Sequence, residues 1–586
     1  MTDGWQEDLS PIGASDWTRE QARHLLDRAG FGGPPKEVAR LAAMPPEAAV
    51  AWFIDFKAVD NSHLPPFEPS GIYDPSLTPF PPTRPAATRL AAETGAAMGV
   101  AAKPAGPRRL QPVADRFFFW LRASMLETRR VANWWADRMV ATNRPLEEKL
   151  ALFWHGHFAS GEEKVRDYRK MLGQVLLFQE PAAGNFGTLL SAVTRDPAML
   201  VFLDAGQNLK GRPNENFGRE LMELFTMGVG HYTEQDIREA ARAFTGWRDN
   251  DLTFHIDDAQ HDGSEKTVLG RTGPLGGQDV LDIILAQPAT ANFIAGKLYR
   301  FLVRDDLSPQ FQNRLGDLLR SNNYEIAPFL QTVFLSRDFY SPGSIGAHIK
   351  APVELIVSTY RRLGLSATPG MPDFNSASTD LGQTLLNPPT VAGWGQGRAW
   401  ITPGSLLARG NFARAVLLPD VIAFTDPNLD PYPSQIRAFS ARIRAGEDIT
   451  TASKIVDGAD GKETQQSGMA TANLLSEHEE FNTHYASLKG WEEAVRRVKP
   501  TPREAAQFSL IALVLEDGAT SSAGAVDCLI ARFLSTPLDP AARNAAVAFL
   551  EAELGTADLD RAKTYLEEPL RLTAHLIMST PEYQLA

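Results

Sequence analysis

The chain has 586 residues, and its 58 Lys and Arg against 71 Asp and Glu give a formal charge of −13. That balance excludes broad, sequence-independent binding to phosphate backbones, which needs clustered positive charge. The single cysteine, Cys528, excludes an intrachain disulfide framework and any cysteine-based zinc or iron–sulfur site, so a bound metal would have to use His, Asp, Glu or Asn.

The first 20 residues carry Asp3, Glu7, Asp8 and Asp16, with no basic start followed by an apolar stretch. That is unlike a secretory signal, so the expected location is the cytoplasm, or outside it if a signal has been trimmed away. No run of 18 apolar residues occurs, so no helix is expected to span a membrane.

Most of the chain reads as helix. Residues 17–30 place Ala22, Leu25, Leu26 and Ala29 at helical spacing and stop at Gly30. Short helices led by proline are expected over 35–43 and 46–56. A proline-dense connection follows at 64–85, and 86–106 is alanine-rich and ambiguous. From 115 to 158, Phe117, Trp120, Leu121, Met125, Val131, Trp134, Trp135, Met139 and Val140 recur at three and four, with a second helix from Pro145 to about His155. The helical pattern continues over 164–178, 188–194, 197–204, 216–227 and 233–247, the last opening on a Thr233 capping box. Between 250 and 277, Leu252, Phe254 and Ile256 alternate, which predicts a small β-hairpin or loop insertion. Helices resume at 277–286, 289–302, 308–321, 326–335 and 351–363, and again within 502–582.

The familiar catalytic motifs are absent. No phosphate-binding glycine loop and no nucleophile elbow occur, and His478-Glu479-Glu480-Phe481-Asn482 lacks the second histidine of a zinc-protease helix. The densest polar constellation begins at Phe153-Trp154-His155-Gly156-His157-Phe158. On a continuous helix, residues two apart diverge by about 200°, so the two imidazoles converge only if the helix ends at His155. Two converging imidazoles suit a metal or a proton transfer; otherwise they serve the free carbonyls of a helix end.

The run Pro213-Asn214-Glu215-Asn216-Phe217-Gly218-Arg219-Glu220-Leu221-Met222-Glu223 puts Glu220 and Glu223 on one helix face. Glu220 lies among Phe217, Leu221 and Leu224, and a buried carboxylate needs a partner or a metal. Glu215 has a simpler role available at the helix start, and Arg219 can pair with Glu223. His231, His255, His261, Asp262 and Lys266 follow, so four of the 11 histidines fall between 155 and 255 with His261 close behind. Further on, Trp394, Arg398 and Trp400 lie in a Gly/Trp/Pro loop at 388–403 that can present a ring platform or pack its indoles on the core.

At these residues the chain resembles the bacterial DUF1800 family, named only as a domain of unknown function. The resemblance rests on 24–32 (His24-Leu25-Leu26-Asp27-Arg28-Ala29-Gly30-Phe31-Gly32), 152–158, 191–204, 213–228, 232–247, His261-Asp262 with 266–270, Leu381-Gly382-Gln383, Gly393-Trp394 and 579–584. It implies one elaborated helical unit and supplies no reaction. It also implies export for many members, from which this acidic N-terminus departs. Residues 457–487 stand out as an insertion.

The expected architecture is mainly α: a multi-helix body over 1–420 with the hairpin insertion near 250–275, and a C-terminal helical part over 421–586 packed on it. The first functional expectation is a metal-assisted enzyme, hydrolytic rather than oxidative. His155, His157, Glu220 and Glu223 would hold a divalent ion as cofactor. His261 and Asp262, with Glu215 and Lys266, would position or deprotonate water. Asn216, Trp394, Arg398 and Trp400 would bind the substrate, a small molecule, sugar or peptide. The rival is a non-catalytic binding or assembly protein with a protein partner, whose polar motifs are caps and buried networks. A third reading is a polysaccharide-acting enzyme that uses paired carboxylates without metal.

Overall fold

In the computed structural model, residues 4–73, 111–419 and 483–586 are described. The alanine-rich stretch 86–106, most of the 457–487 insertion and the His478 motif lie outside the described residues.

The chain is mainly helical. The N-terminal helices Arg19–Arg28, Pro35–Ala42 and Pro46–Ile54 follow the predicted spacing, the last two with proline in the first turn. Helix Gln111–Ala141 is the longest among the described residues, and it packs along Thr483–Arg497. It ends where Thr142, Asn143 and Arg144 turn the chain into Pro145–His157. One apolar core runs from Ile12 through Trp135 and Trp154 to Tyr583, so helices from both ends of the chain share it. A smaller cluster joins Ile72, Trp120 and Trp491.

The expected insertion is two antiparallel hairpins. Trp247–Asn250 pairs with Thr253–Ile256, placing Arg248 opposite His255. Lys266–Val268 pairs with Arg271–Gly273. The preceding helix, Glu234–Ala243, opens on the predicted Thr233 capping box but stops short of Trp247. Gly246 (φ +78°) turns the chain there, and Trp247 leads the first strand.

Two local departures bear on the site. The helix carrying the histidine pair runs through His157 and does not end at His155. The predicted helix 216–227 is α only over Asn216–Glu220, and Leu221–Thr226 is a π-helix. Thr226 Oγ1 donates to Leu221 O at 2.6 Å inside that wider turn. Such insertions are frequent at functional sites. Among the described residues no helix is long and apolar enough to cross a membrane.

Candidate functional site

Helix Pro145–His157 buries nearly every side chain, so its two histidines sit in rings rather than in water. His155 is enclosed by Trp135, Phe178 and Trp394, with ring centroids 5.6, 6.3 and 5.2 Å away. Its Nε2 accepts the Leu386 N–H at 3.1 Å, which places the ring proton on Nδ1. Leu386 has φ +62°, and its carbonyl accepts the Glu162 N–H at 2.9 Å. Both backbone groups of this left-handed residue are therefore tied to the segment 155–162. His157 stacks on Phe153 and lies at 3.0 Å from Phe225 O through Nε2, so that nitrogen donates. The two imidazoles thus serve opposite neighbours, the 384–394 loop and the π-helix. Burial pushes both down to about 3, so both are neutral at physiological pH.

Gly156 lets the loop close on this helix. A Cβ at Gly393 (φ +82°) would lie 2.1 Å from Gly156 O, and one at Gly156 would touch the Trp394 ring at 3.7 Å. Trp394 and Trp400 are buried and present no open indole face, while Arg398 is exposed.

The carboxylates are distributed over three settings. Glu215 pairs with Arg219 at 3.2 Å, and Arg219 pairs with Glu234 at 2.8 Å, on the surface. Glu223 accepts the Tyr232 hydroxyl at 2.8 Å. Glu220 is partly buried, and burial together with Glu223 raises it. Asn216 takes its N–H to Asn214 Oδ1 at 3.0 Å and its side-chain amide to Leu203 O at 3.3 Å. Glu162, at the start of the next short helix, is pushed up to about 7 by burial and by Glu163.

His261, Asp262 and Lys266 close the insertion onto the helix before it. His261 Nδ1 meets Thr245 O at 2.9 Å, and the Asp262 N–H donates to Thr245 Oγ1 at 2.8 Å. Asp262 accepts from Arg242 at 2.9 Å and from the Ser264 N–H at 3.0 Å. Although burial opposes it, the bonds from Ser264 and Arg242 hold Asp262 well below the usual carboxylate range. Lys266 spends its ammonium on the carbonyls of Asp262 and Ser264, and burial lowers it. Among the described residues, no group of three or more His, Cys, Asp or Glu side chains is placed to hold a metal ion.

Sequence reasoning missed a second polar centre. Lys149 and His348 both pair with Glu354, the imidazole at 2.9 Å, and Glu354 also caps Ala351 N–H at 2.8 Å. Burial alone would raise Glu354, but Lys149 and His348 hold it well below its ordinary value. Beside this pair, Asp27 binds Arg362 at 2.7 Å and accepts Ser535 at 2.8 Å. Arg28, Lys350 and Arg409 complete the cluster, all buried. A signal existed. Asp27-Arg28 interrupts the apolar face of 17–30, and Lys149 sits in a helix that is otherwise apolar toward its C-terminal end.

The family model described as "Protein of unknown function (DUF1800)" matches residues 24–585. The chain belongs to the DUF1800 family. The match takes in both polar centres of this DUF1800 protein, the His155 loop clamp and the Glu354 cluster. No curated protein and no solved structure matches the chain.

Proposed function

We propose that this DUF1800 protein is a non-catalytic binding or assembly protein whose polar motifs fix a large helical body. The observation that carries the reading is the Leu386 N–H on His155 Nε2: a ring nitrogen that would bind an ion is already used to hold a loop. Glu215, Glu223, His261, Asp262 and Lys266 likewise have partners within the chain. Side-chain bonds of this kind, tying distant segments together, rigidify a fold.

The surface offered to a partner is an apolar groove of about 610 Å³ between helices Pro403–Leu417 and Glu567–Met578. Ile349, Ile401, Leu406, Leu407, Met578 and Leu585 form its walls, and Leu407 is 67 % exposed. Arg414 stands in the groove with no ion-pair partner among the described residues. The occupant that fits is a segment of another protein carrying apolar side chains and a carboxylate for Arg414.

The test is elemental analysis of protein purified without chelator, beside melting curves, for wild type, His155→Ala and Glu220→Ala. The reading expects His155→Ala to melt lower and no stoichiometric metal that depends on either residue. Stoichiometric metal in the wild type, lost in both variants, would overturn it in favour of a metal-assisted enzyme.

A further inference from the structure

The two long walls of the apolar groove are helices, Pro403–Leu417 and Glu567–Met578. Leu406, Leu407, Gly410 and Arg414 follow one another at helical spacing along the first wall, and His575 and Met578 lie three apart on the second. From Leu406 to Arg414 the first wall runs about 12 Å, or roughly two turns.

Gly410 sits midway along that wall. Its backbone is not left-handed, and a Cβ built on it would meet no atom within 4 Å, so neither conformation nor crowding inside the fold requires a glycine. Glycine inside a helix weakens it. What it provides is a bare stretch of backbone facing the groove, where a second backbone can come close. His575 Nε2 meets Gly410 O at 3.3 Å and ties the two walls together at that level.

The main-chain groups inside both walls are spent within their own helices. An extended occupant would leave the amides and carbonyls that face these walls unpaired, which is costly. Over about 12 Å it would also turn only about two side chains into the groove. A helix satisfies its own main chain, and over about the same length it presents residues i, i+3, i+4 and i+7. The chain is acidic overall, at −13, so an acidic partner is attracted only where a cation is offered, and Arg414 offers one at the end of this wall.

We infer that the occupant of the groove is an amphipathic α-helix of a partner protein, its apolar stripe laid between the two walls, its backbone crossing closest at Gly410 and an Asp or Glu beside Arg414. This rests on the groove being the docking surface, as proposed above.

The experiment uses the full chain. A phage library of random peptides of about 16 residues, long enough for four helical turns, is selected on the wild-type protein with excess Leu407→Glu protein as competitor. Recovered peptides are synthesised, titrated by fluorescence anisotropy, and carbon-labelled to read their bound conformation by NMR. The expected peptides carry apolar residues at spacings of three and four with an acidic residue in register, and become helical on binding. Gly410→Leu should weaken them about tenfold or more while leaving Tm unchanged or raised, since leucine is the better helix former and meets no clash. Arg414→Glu should weaken them similarly and remove the preference for an acidic residue. Peptides with apolar residues at every second position that bind without becoming helical, or helical peptides indifferent to Gly410→Leu, would overturn the inference and leave the groove as the docking surface. A selection yielding no peptide that prefers wild type to Leu407→Glu would overturn both.

Discussion

The Leu386 amide donates to His155 Nε2 at 3.1 Å, across 231 residues of sequence. This bond, the Trp394 ring on the same imidazole and the Glu162 N–H on Leu386 O together clamp the 384–394 loop to the end of helix Pro145–His157. His155→Ala removes a fully buried ring and leaves a buried N–H without an acceptor. Cavity and desolvation together should cost about 3–5 kcal/mol. The loop should loosen first. Hydrogen exchange of a peptide spanning Leu386 is expected to quicken at denaturant concentrations where helix Pro352–Arg362 is still protected. Unchanged protection at Leu386 would count against the clamp.

Four buried histidines set an acid limb to stability. Burial brings His24, His155 and His157 to about 3 and His348 to about 4 in the fold, against about 6.5 in the unfolded chain. Below that value the unfolded chain takes up protons that the fold refuses, so stability is full above pH 6.5 and falls as pH drops toward the folded values. Each such histidine contributes up to about 1.4 kcal/mol per pH unit in that window. In His157→Gln an amide N–H replaces the Nε2 donor to Phe225 O without titrating. Urea midpoints measured from pH 7 to 4 should fall less steeply in this variant by one histidine's share; an unchanged slope would show that His157 titrates normally.

The helices were legible because their apolar positions recur at three and four, and the Thr233 capping box is a purely local signal. The histidine pair was legible as a cluster but not as two separate anchors. Its partners are a backbone N–H at 386 and a carbonyl at 225, which no side-chain pattern announces. The π-helix at Leu221–Thr226 was equally hidden, since its residues have ordinary helical character. The Glu354 cluster joins residues 27, 149, 348 and 362, and only long-range packing brings these together. The Trp394 and Trp400 indoles are buried in a small cluster of their own with Ala351 and Ile349.

Glu162 acts in the opposite sense to the histidines. Burial lifts its carboxyl to about 7, with Glu163 adding to the shift. Between its unfolded value of about 4.5 and 7 the fold binds a proton that the unfolded chain releases, so this group's contribution to stability is lost as pH rises through that window. Glu162→Gln removes the buried charge and should stabilise the protein at pH 8 by on the order of 2–3 kcal/mol, with little effect at pH 5. Denaturant titrations of the two proteins at pH 5 and pH 8 check this. An equal difference at both pH values would mean that the carboxyl is not the source.

The groove between Pro403–Leu417 and Glu567–Met578 makes a prediction that separates surface from core. Leu406, Leu407 and Leu576 are 45, 67 and 44 % exposed, an unusual density of apolar surface on two neighbouring helices. Anilinonaphthalene sulfonate carries an apolar ring system and one negative charge, the same chemistry the groove offers through its leucines and Arg414. The dye is expected to bind the native protein at about one equivalent. Leu407→Glu puts a charge on the apolar wall and Arg414→Glu reverses the one cation, so each should weaken dye binding about tenfold, a change near 1.4 kcal/mol. Both side chains are exposed, so neither substitution should move stability by more than about 0.5 kcal/mol. Fluorescence titration gives the first quantity and thermal melting the second. Dye binding that survives both substitutions would place it elsewhere on the molecule and leave the groove without support as the docking surface.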